Sequence, residues 1–234
     1  MTDILPEGDR GGRAPRAALF DVDGTLVDTN DLHAAAWREA FLHFGLDRRL
    51  EEIRWQVGKG GDNLIPSLFP DLPEERRKAI EDFRAEMFKR DYLPRATPFA
   101  GVRALFERLA ADGVRIVLAS SSHKEEVDFY RSLIGCEDLI AAATSKDDVE
   151  SSKPCPDIFA AALARVAPLG ADEAVVVGDT PWDAKAAARI GLRTVGFRSG
   201  GFPDAALADA GACELYDGPA DLLDRYAGSV FGRG

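Results

Sequence analysis

The stretch that decides the fold is Ala17-Ala18-Leu19-Phe20-Asp21-Val22-Asp23-Gly24-Thr25. Four apolar residues halted by an acidic, glycine-containing run read as a short buried strand that delivers carboxylates into a loop. Asp21 and Asp23 stand two apart, so pleating points both side chains toward the same side and into one pocket. Gly24 can take dihedrals that a bulky residue cannot, which lets the backbone turn away and leaves room for a ligand.

Outward from this strand the texture changes twice. From about residue 30 to residue 92 the pattern is helical only: Leu32, Ala36, Ala40 and Phe44 recur at helical spacing before Gly45, with Trp37 and Phe41 beside them. Pro73 opens another helix through Ile80, Phe83 and Met87. After Pro94 and Pro98, helices at 102–111, 125–134, 157–166, 183–190 and 203–210 alternate with strands at 114–119, 140–144, 174–177, 194–197 and 214–216. Strands alternating with helices of this length join in parallel through right-handed crossovers, so the expected fold is α/β: a Rossmann-like, doubly wound parallel sheet that includes the strand before Asp21. The helical block is then an insertion at the carboxyl ends of parallel strands, where such sheets bind ligands, and it is placed to act as a lid. The domain reading is a flexible tail over 1–15, an α/β core formed by 16–29 and 96–234, and an α-helical cap over 30–95, with hinges near Thr29 and Ala96.

Composition narrows the function. The chain has 234 residues, 46% of them hydrophobic, enough for a full core and a second, smaller unit. A formal charge of −11 argues against nucleic acid as a partner, because such binding draws most of its affinity from Lys and Arg at phosphates. No apolar run approaches the roughly 18 residues of a membrane span, and the polar start of the chain does not read as a signal peptide or anchor. Cys136, Cys155 and Cys213 are widely spaced and form no CxxC pair, which fits a reducing compartment and gives a cytoplasmic expectation.

The string DVDGTLVD over 21–28 resembles the first of four signature motifs of the haloacid dehalogenase superfamily. The other three follow in order: Ser120 after Ile116-Val117-Leu118-Ala119, Lys153 in a KPxPxxF setting that ends at Phe159, and Asp179 with Asp183 in a GDxxxD form after Val175-Val176-Val177. The resemblance covers nearly the whole chain from Ala17 onward. It implies an aspartate nucleophile at Asp21 and a Mg²⁺ held by the Asp21 and Asp179 carboxylates and the Asp23 backbone carbonyl, with Asp183 supporting that shell. It also implies that Lys153 pairs with the nucleophile and the phosphoryl oxygens and that Ser120 donates a hydrogen bond to them, with Gly24 and Ser121 beside the substrate. The dehalogenase branch expels halide and lacks a second aspartate. An alkoxide leaving group needs a proton, so Asp23 reads as general acid and then general base, which points to phosphate chemistry. Asp23 also argues against use of Lys59 as the Schiff-base lysine of the phosphonate-cleaving branch.

Asp31-Leu32-His33-Ala34-Ala35-Ala36-Trp37 is similar to the opening of the cap in the beta-phosphoglucomutase and sugar-phosphatase subgroup. His33 reads either as a residue at the pocket mouth or as cap packing, and Trp37 as core. Val57-Gly58-Lys59-Gly60-Gly61-Asp62 is a glycine-rich loop with one cation, and either Lys59 contacts the distal part of the substrate or the loop is an exposed connection. The resulting expectation is a Mg²⁺-dependent phosphatase acting on a small phosphorylated metabolite, with no nucleic-acid or membrane partner. A sugar phosphomutase with the same aspartate chemistry is the nearest alternative, and a catalytically silent binding module on the same fold is another. The GDxxxD form tilts the reading toward hydrolysis, and glycolate, sugar, polyol and nucleotide phosphates all stay open as substrates.

Overall fold

The structure, a computed structural model, describes residues 14–232. Strand β1 (Ala17–Phe20) is wholly buried. It leads into a short ribbon in which β2 (Val27–Asp28) pairs antiparallel with β3 (Thr97–Pro98). The remaining strands are β4 (Arg115–Ala119), β5 (Ile140–Thr144), β6 (Ala174–Gly178), β7 (Arg193–Phe197) and β8 (Ala212–Tyr216). All except β2 and β3 form one sheet in the order β5-β4-β1-β6-β7-β8, and each of its ladders is parallel. The chain thus moves outward from β1 on one side through β4 and β5, then returns to the other side through β6, β7 and β8. That reversal makes the carboxyl edge of β1 a topological switch point, where neighbouring crossovers leave in opposite directions and open a crevice.

Both faces of the sheet are covered, as parallel strands require. Ala18, Phe20, Ile116, Leu118, Val175 and Val177 pack into one apolar cluster, while Ala17, Leu19, Val117, Ala119, Ala174 and Val176 pack into another on the opposite face. Side chains alternate strictly between the two, and each large one that is fully buried contributes about 1.5–3 kcal/mol.

Between β2 and β3 lie helices α1 (Asn30–His43), α2 (Leu50–Arg54), α3 (Gly61–Leu68) and α4 (Glu74–Met87), the last running on into a π turn over Phe88–Tyr92. α1 ends where Gly45 takes a φ of +70°: its N–H donates to the Leu42 carbonyl and the N–H of Leu46 to that of Phe41, closing the helix in a left-handed cap. Helices α5 (Val102–Ala111), α6 (Lys124–Ile134), α7 (Asp157–Ala164), α8 (Pro181–Ala188), α9 (Asp204–Ala210) and α10 (Pro219–Asp224) accompany the sheet. No helix among the described residues is long and apolar enough to cross a membrane.

Three differences from the sequence reading have physical causes. Of the expected stripe on α1, Ala36 and Ala40 are buried with Trp37 and Phe41, whereas Leu32 and Phe44 are only partly covered and Asn30, His33 and Ala34 complete the buried face. The stripe is turned because Asn30 and His33 find hydrogen-bond partners beneath it, described below. Pro15, at the end of the expected tail, is buried, and the N–H of Arg16 donates to the Glu173 carbonyl at 2.7 Å; residues 1–13 of that tail lie outside the described residues. The β2–β3 ribbon and the π turn lack any periodicity that a sequence pattern could register.

Candidate active site

Three neighbouring strands end in the residues that make the site. The Asp21 N–H donates to the Val177 carbonyl at 2.9 Å, which keeps the chain extended past β1, and the Ser120 N–H donates to the Thr144 carbonyl at 3.1 Å just beyond β4. Asp179 follows β6 directly. These three positions therefore converge on the switch point because their strands are adjacent, with no contribution from the helical segment.

Asp21, Asp179 and Asp183 are all buried, and ligand oxygens from the three lie within 4.8 Å of one another. Lys153, 1% exposed, reaches them from the loop before α7: its ammonium pairs with Asp21 Oδ1 and lies 2.7 Å from Asp183 Oδ1. Thr25 Oγ1 stands 3.1 Å from Asp21 Oδ2 and 2.9 Å from Asp179 Oδ1, so its single proton serves one carboxylate at a time. Asn30 Nδ2 donates to Asp179 Oδ2 at 2.7 Å. Asp183 is fixed by α8, whose N-cap Thr180 donates to Asp183 Oδ2 from its hydroxyl at 2.6 Å and from its N–H at 3.0 Å. Gly24 has φ +80°, and a Cβ there would collide with the Asn30 side chain and the Asp179 carboxylate. The space beside Gly24 is thus filled by those two side chains, and its carbonyl accepts from Ser199 Oγ at 2.6 Å.

The electrostatics follow from this crowding. Burial drives the Asp21 carboxyl well above the usual carboxylate range; Lys153 pulls it down, and Asp183, Asp179 and Asp23 push it further up. Asp179 is raised to about 7, by burial first and then by Asp183, against hydrogen bonds from Asn30 and Thr25. Burial by itself would lower Lys153, but Asp183 and Asp21 outweigh it and hold the ammonium above its ordinary pKa. Three carboxylates against one ammonium leave excess negative charge in a buried space lined with hard oxygen donors, which is the chemistry of a divalent-cation site.

Asp23 belongs to a second network. Its Oδ1 accepts from Thr29 Oγ1 at 2.9 Å and lies 2.7 Å from His33 Nε2, while its Oδ2 accepts from Ser122 Oγ at 2.8 Å and Ser120 Oγ at 3.3 Å. Burial would raise its pKa, but the charge and hydrogen bond of His33, followed by the Tyr130 and Ser122 hydroxyls, hold it below the usual carboxylate range. The His33 ring stacks on Phe88 at 4.2 Å, and its Nδ1 faces the Arg84 guanidinium. His33 thus lines the cleft and also packs within the helical segment, joining two readings that the sequence kept apart.

A cleft of about 630 Å³, counting its open mouth, runs from Asp21 and Asp23 to the helical segment and is also lined by His33, Lys59 and Ser121. Lys59 Nζ is held by Gln56 Oε1 at 2.6 Å and Ser67 Oγ at 2.9 Å and lies 4.0 Å above the Trp182 ring. The expected site residues therefore fall into three places: Asp21, Lys153, Asp179 and Asp183 in the carboxylate cluster with Gly24 packed against it, Asp23, Ser120 and His33 in the adjoining network, and Ser121 and Lys59 along the cleft. Sequence reasoning gave no role to Thr25, Asn30, Ser122, Arg84 or Glu126. Thr25 lies inside the first motif and Asn30 and Ser122 within two residues of motif residues, so these three carried a signal; Arg84 and Glu126 carried none.

A model of haloacid dehalogenase-like hydrolases matches residues 18–197, which takes in both networks. The chain belongs to that family. It is 30% identical to the pyrophosphatase PpaX of Bacillus pumilus over 76% of this chain and 81% of the relative. It is 28% identical to the phosphoglycolate phosphatase of Rhodospirillum rubrum over 90% of each. Among solved structures, a hydrolase from Pseudomonas syringae superposes with a TM-score of 0.85 at 28% identity, covering 92% of this chain and 98% of that one. As a haloacid dehalogenase-like hydrolase with such relatives, the protein is an enzyme that hydrolyses phosphoric esters.

Proposed function

We propose that the protein is a Mg²⁺-dependent phosphatase that hydrolyses a small phosphate monoester through an aspartyl-phosphate on Asp21. The observation that carries this reading is the division of labour between two aspartates in one cleft. Asp21 is clamped by Lys153 within a carboxylate cluster, and Asp23 is hydrogen-bonded to hydroxyls and to His33 outside that cluster.

In the first step an Asp21 carboxyl oxygen bonds to phosphorus while the ester P–O bond breaks, and the leaving oxygen takes a proton from Asp23. The free site favours ionised Asp23, so Asp23 takes up its proton from solvent as a phosphate dianion enters beside it and raises its pKa, while the His33 Nε2–H holds the carboxylate in place at 2.7 Å. In the second step Asp23 takes a proton from water as the water oxygen bonds to phosphorus, and the P–O bond to Asp21 breaks to release phosphate. Lys153 stabilises negative charge on the phosphoryl oxygens throughout, and Thr25 and Asn30 keep the Asp21 and Asp179 carboxylates in place. The Asp21 and Asp179 carboxylates, with the Asp23 backbone carbonyl, would hold the Mg²⁺, which acts when bound as a Lewis acid toward a phosphoryl oxygen. Asp183, both oxygens engaged by Thr180 and Lys153, steadies that set.

The segment over 30–95 acts in this reading as a cap. Its two connections to the core run side by side as the β2–β3 ribbon, so a change of dihedrals near Thr29 and Ala96 would swing it as a body. α3 touches the Lys153 loop: Asp62 Oδ2 accepts from the Ser152 N–H at 3.0 Å, and Asn63 Nδ2 donates to the Ser152 carbonyl at 2.9 Å. Cap closure is thereby linked to the position of Lys153.

The test is a screen of phosphorylated metabolites with Mg²⁺, scored for inorganic phosphate and for isomerised sugar phosphate. Phosphate release that Asp21→Asn lowers by about a thousandfold or more is expected. Isomerisation without net release would turn the reading to a mutase, and no turnover of any ester, including a generic aryl phosphate, to a silent binding module.

A further inference from the structure

Most charged side chains along the cleft are already satisfied by protein partners. Lys59 is held by Gln56 and Ser67, Lys146 pairs with Glu81, and Asp23 accepts from four neighbours. Glu126 is different. It lies in the first turn of α6, is 2% exposed and lines the cleft, yet its Oε2 is buried without a hydrogen-bond partner among the described residues. Ser121 Oγ, on the same cleft, is also buried and unpartnered. A helix N-terminus eases the charge of a carboxylate but supplies no hydrogen bond to this oxygen, and a buried acceptor left unpaired is costly. An acceptor kept in that state on the wall of a binding cleft is completed when a ligand brings a donor.

We propose that Glu126 is a specificity-determining residue that accepts a hydrogen bond from a substrate hydroxyl, so that the substrate is a phosphorylated sugar or polyol rather than a phosphorylated carboxylic acid or a pyrophosphate. The inference rests on the phosphatase reading and narrows it. A second anionic group on the substrate would meet the Glu126 carboxylate with no donor of its own. An ammonium would meet the Arg84 guanidinium, which lines the same cleft and whose Nε is likewise unpartnered. A hydroxyl donates and accepts, and so suits a wall that presents an acceptor at Glu126, a donor at Arg84 and a hydroxyl at Ser121. A site built to hydrogen-bond hydroxyls discriminates strongly against substrates that lack them, because its buried groups are then left unpaired.

The experiment measures kcat/KM with Mg²⁺ for sorbitol 6-phosphate and glucose 6-phosphate against 2-phosphoglycolate and pyrophosphate, in the wild-type protein, Glu126→Met and Glu126→Gln. The wild type is expected to favour a sugar or polyol phosphate. Glu126→Met, which removes the acceptor at similar volume, should lower the ratio of polyol phosphate to 2-phosphoglycolate by roughly tenfold to a hundredfold, and Glu126→Gln, which keeps an acceptor oxygen, should restore part of it. Turnover of para-nitrophenyl phosphate, which has no hydroxyl, reports separately on the phosphatase reading. If that ester is hydrolysed while the wild type prefers 2-phosphoglycolate or pyrophosphate, or while neither variant moves the ratio, the role of Glu126 is overturned and the phosphatase reading stands. Calorimetric binding of sorbitol 6-phosphate to Asp21→Asn decides the same point without turnover: weaker binding once Glu126→Met is added supports the role, and equal binding overturns it.

Discussion

At the sheet end of the cleft, Asp21, Lys153, Asp179 and Asp183 are buried and tied to one another from three separate parts of the chain. At the helical end, Lys59 is held by Gln56 and Ser67 from its own segment, and the Lys146–Glu81 pair leaves about a quarter of each side chain in water. The first region has high electrostatic stakes and little freedom to move, since displacing any member leaves a buried charge uncompensated. The second is partly screened by solvent and can rearrange at small cost. A transferring phosphoryl group asks for the first kind of surroundings and a variable remainder of the substrate tolerates the second.

The largest effect is expected from Asp23→Asn. With an alkyl phosphate, loss of the proton donor and acceptor should lower kcat by roughly a hundredfold to ten-thousandfold. With para-nitrophenyl phosphate, whose leaving group needs no proton, formation of the phosphoenzyme should be spared and only its hydrolysis slowed. Stopped-flow measurement of both steps checks this, and equal losses in both would place Asp23 elsewhere in the mechanism.

A smaller effect concerns stability without metal. Asp21 and Asp179 have folded-state pKa values raised above the 3.8 of a free aspartate, Asp179 to about 7. For groups raised in this way, the stability they contribute is fully present below the unfolded pKa and lost as pH rises through the folded one. Metal-free protein should therefore lose stability between about pH 4 and about pH 7, and Mg²⁺, which favours the ionised carboxylates, should raise Tm more at about pH 8 than at about pH 5, by roughly 5 °C. A Mg²⁺ response independent of pH in thermal melting would remove the carboxylate cluster from metal binding.

The smallest effect belongs to Lys59→Ala. Burial, followed by Lys185, lowers the pKa of this amine, and its present partners are neutral side chains of the same segment. Steady-state kinetics should show kcat/KM reduced by roughly threefold, mostly through KM. An unchanged specificity constant for every good substrate would leave Lys59 as a cap-fastening residue against Trp182.

The same contrast explains what the sequence could disclose. Asp21, Ser120 and Asp179 each come just after an apolar run that can only be a buried strand, so their place in space follows from strand order, and strand order follows from the alternation with helices. Lys153 was legible through its motif, although its burial against the Asp21 and Asp183 carboxylates was not. His33 read either as a pocket-mouth residue or as cap packing and Asn30 had no reading; the packing of α1 over Asp179 and Asp23 is what turns both inward. Glu126 was ordinary first-turn acid in the sequence; what singles it out is the wall it shares with Arg84, which depends on how α4 and α6 meet across the cleft. Local pattern specifies strand ends, and it is silent about side chains that converge from helices distant in sequence.

The central claim is covalent chemistry at Asp21, and trapping the phosphoenzyme tests it most directly. Asp23→Asn protein with Mg²⁺ would be mixed with para-nitrophenyl phosphate, quenched in acid, reduced with borohydride and digested for peptide mass spectrometry. The account predicts a burst of nitrophenolate stoichiometric with enzyme and homoserine in place of Asp21. Nitrophenolate released steadily without a burst, with Asp21 recovered unmodified throughout, would contradict it.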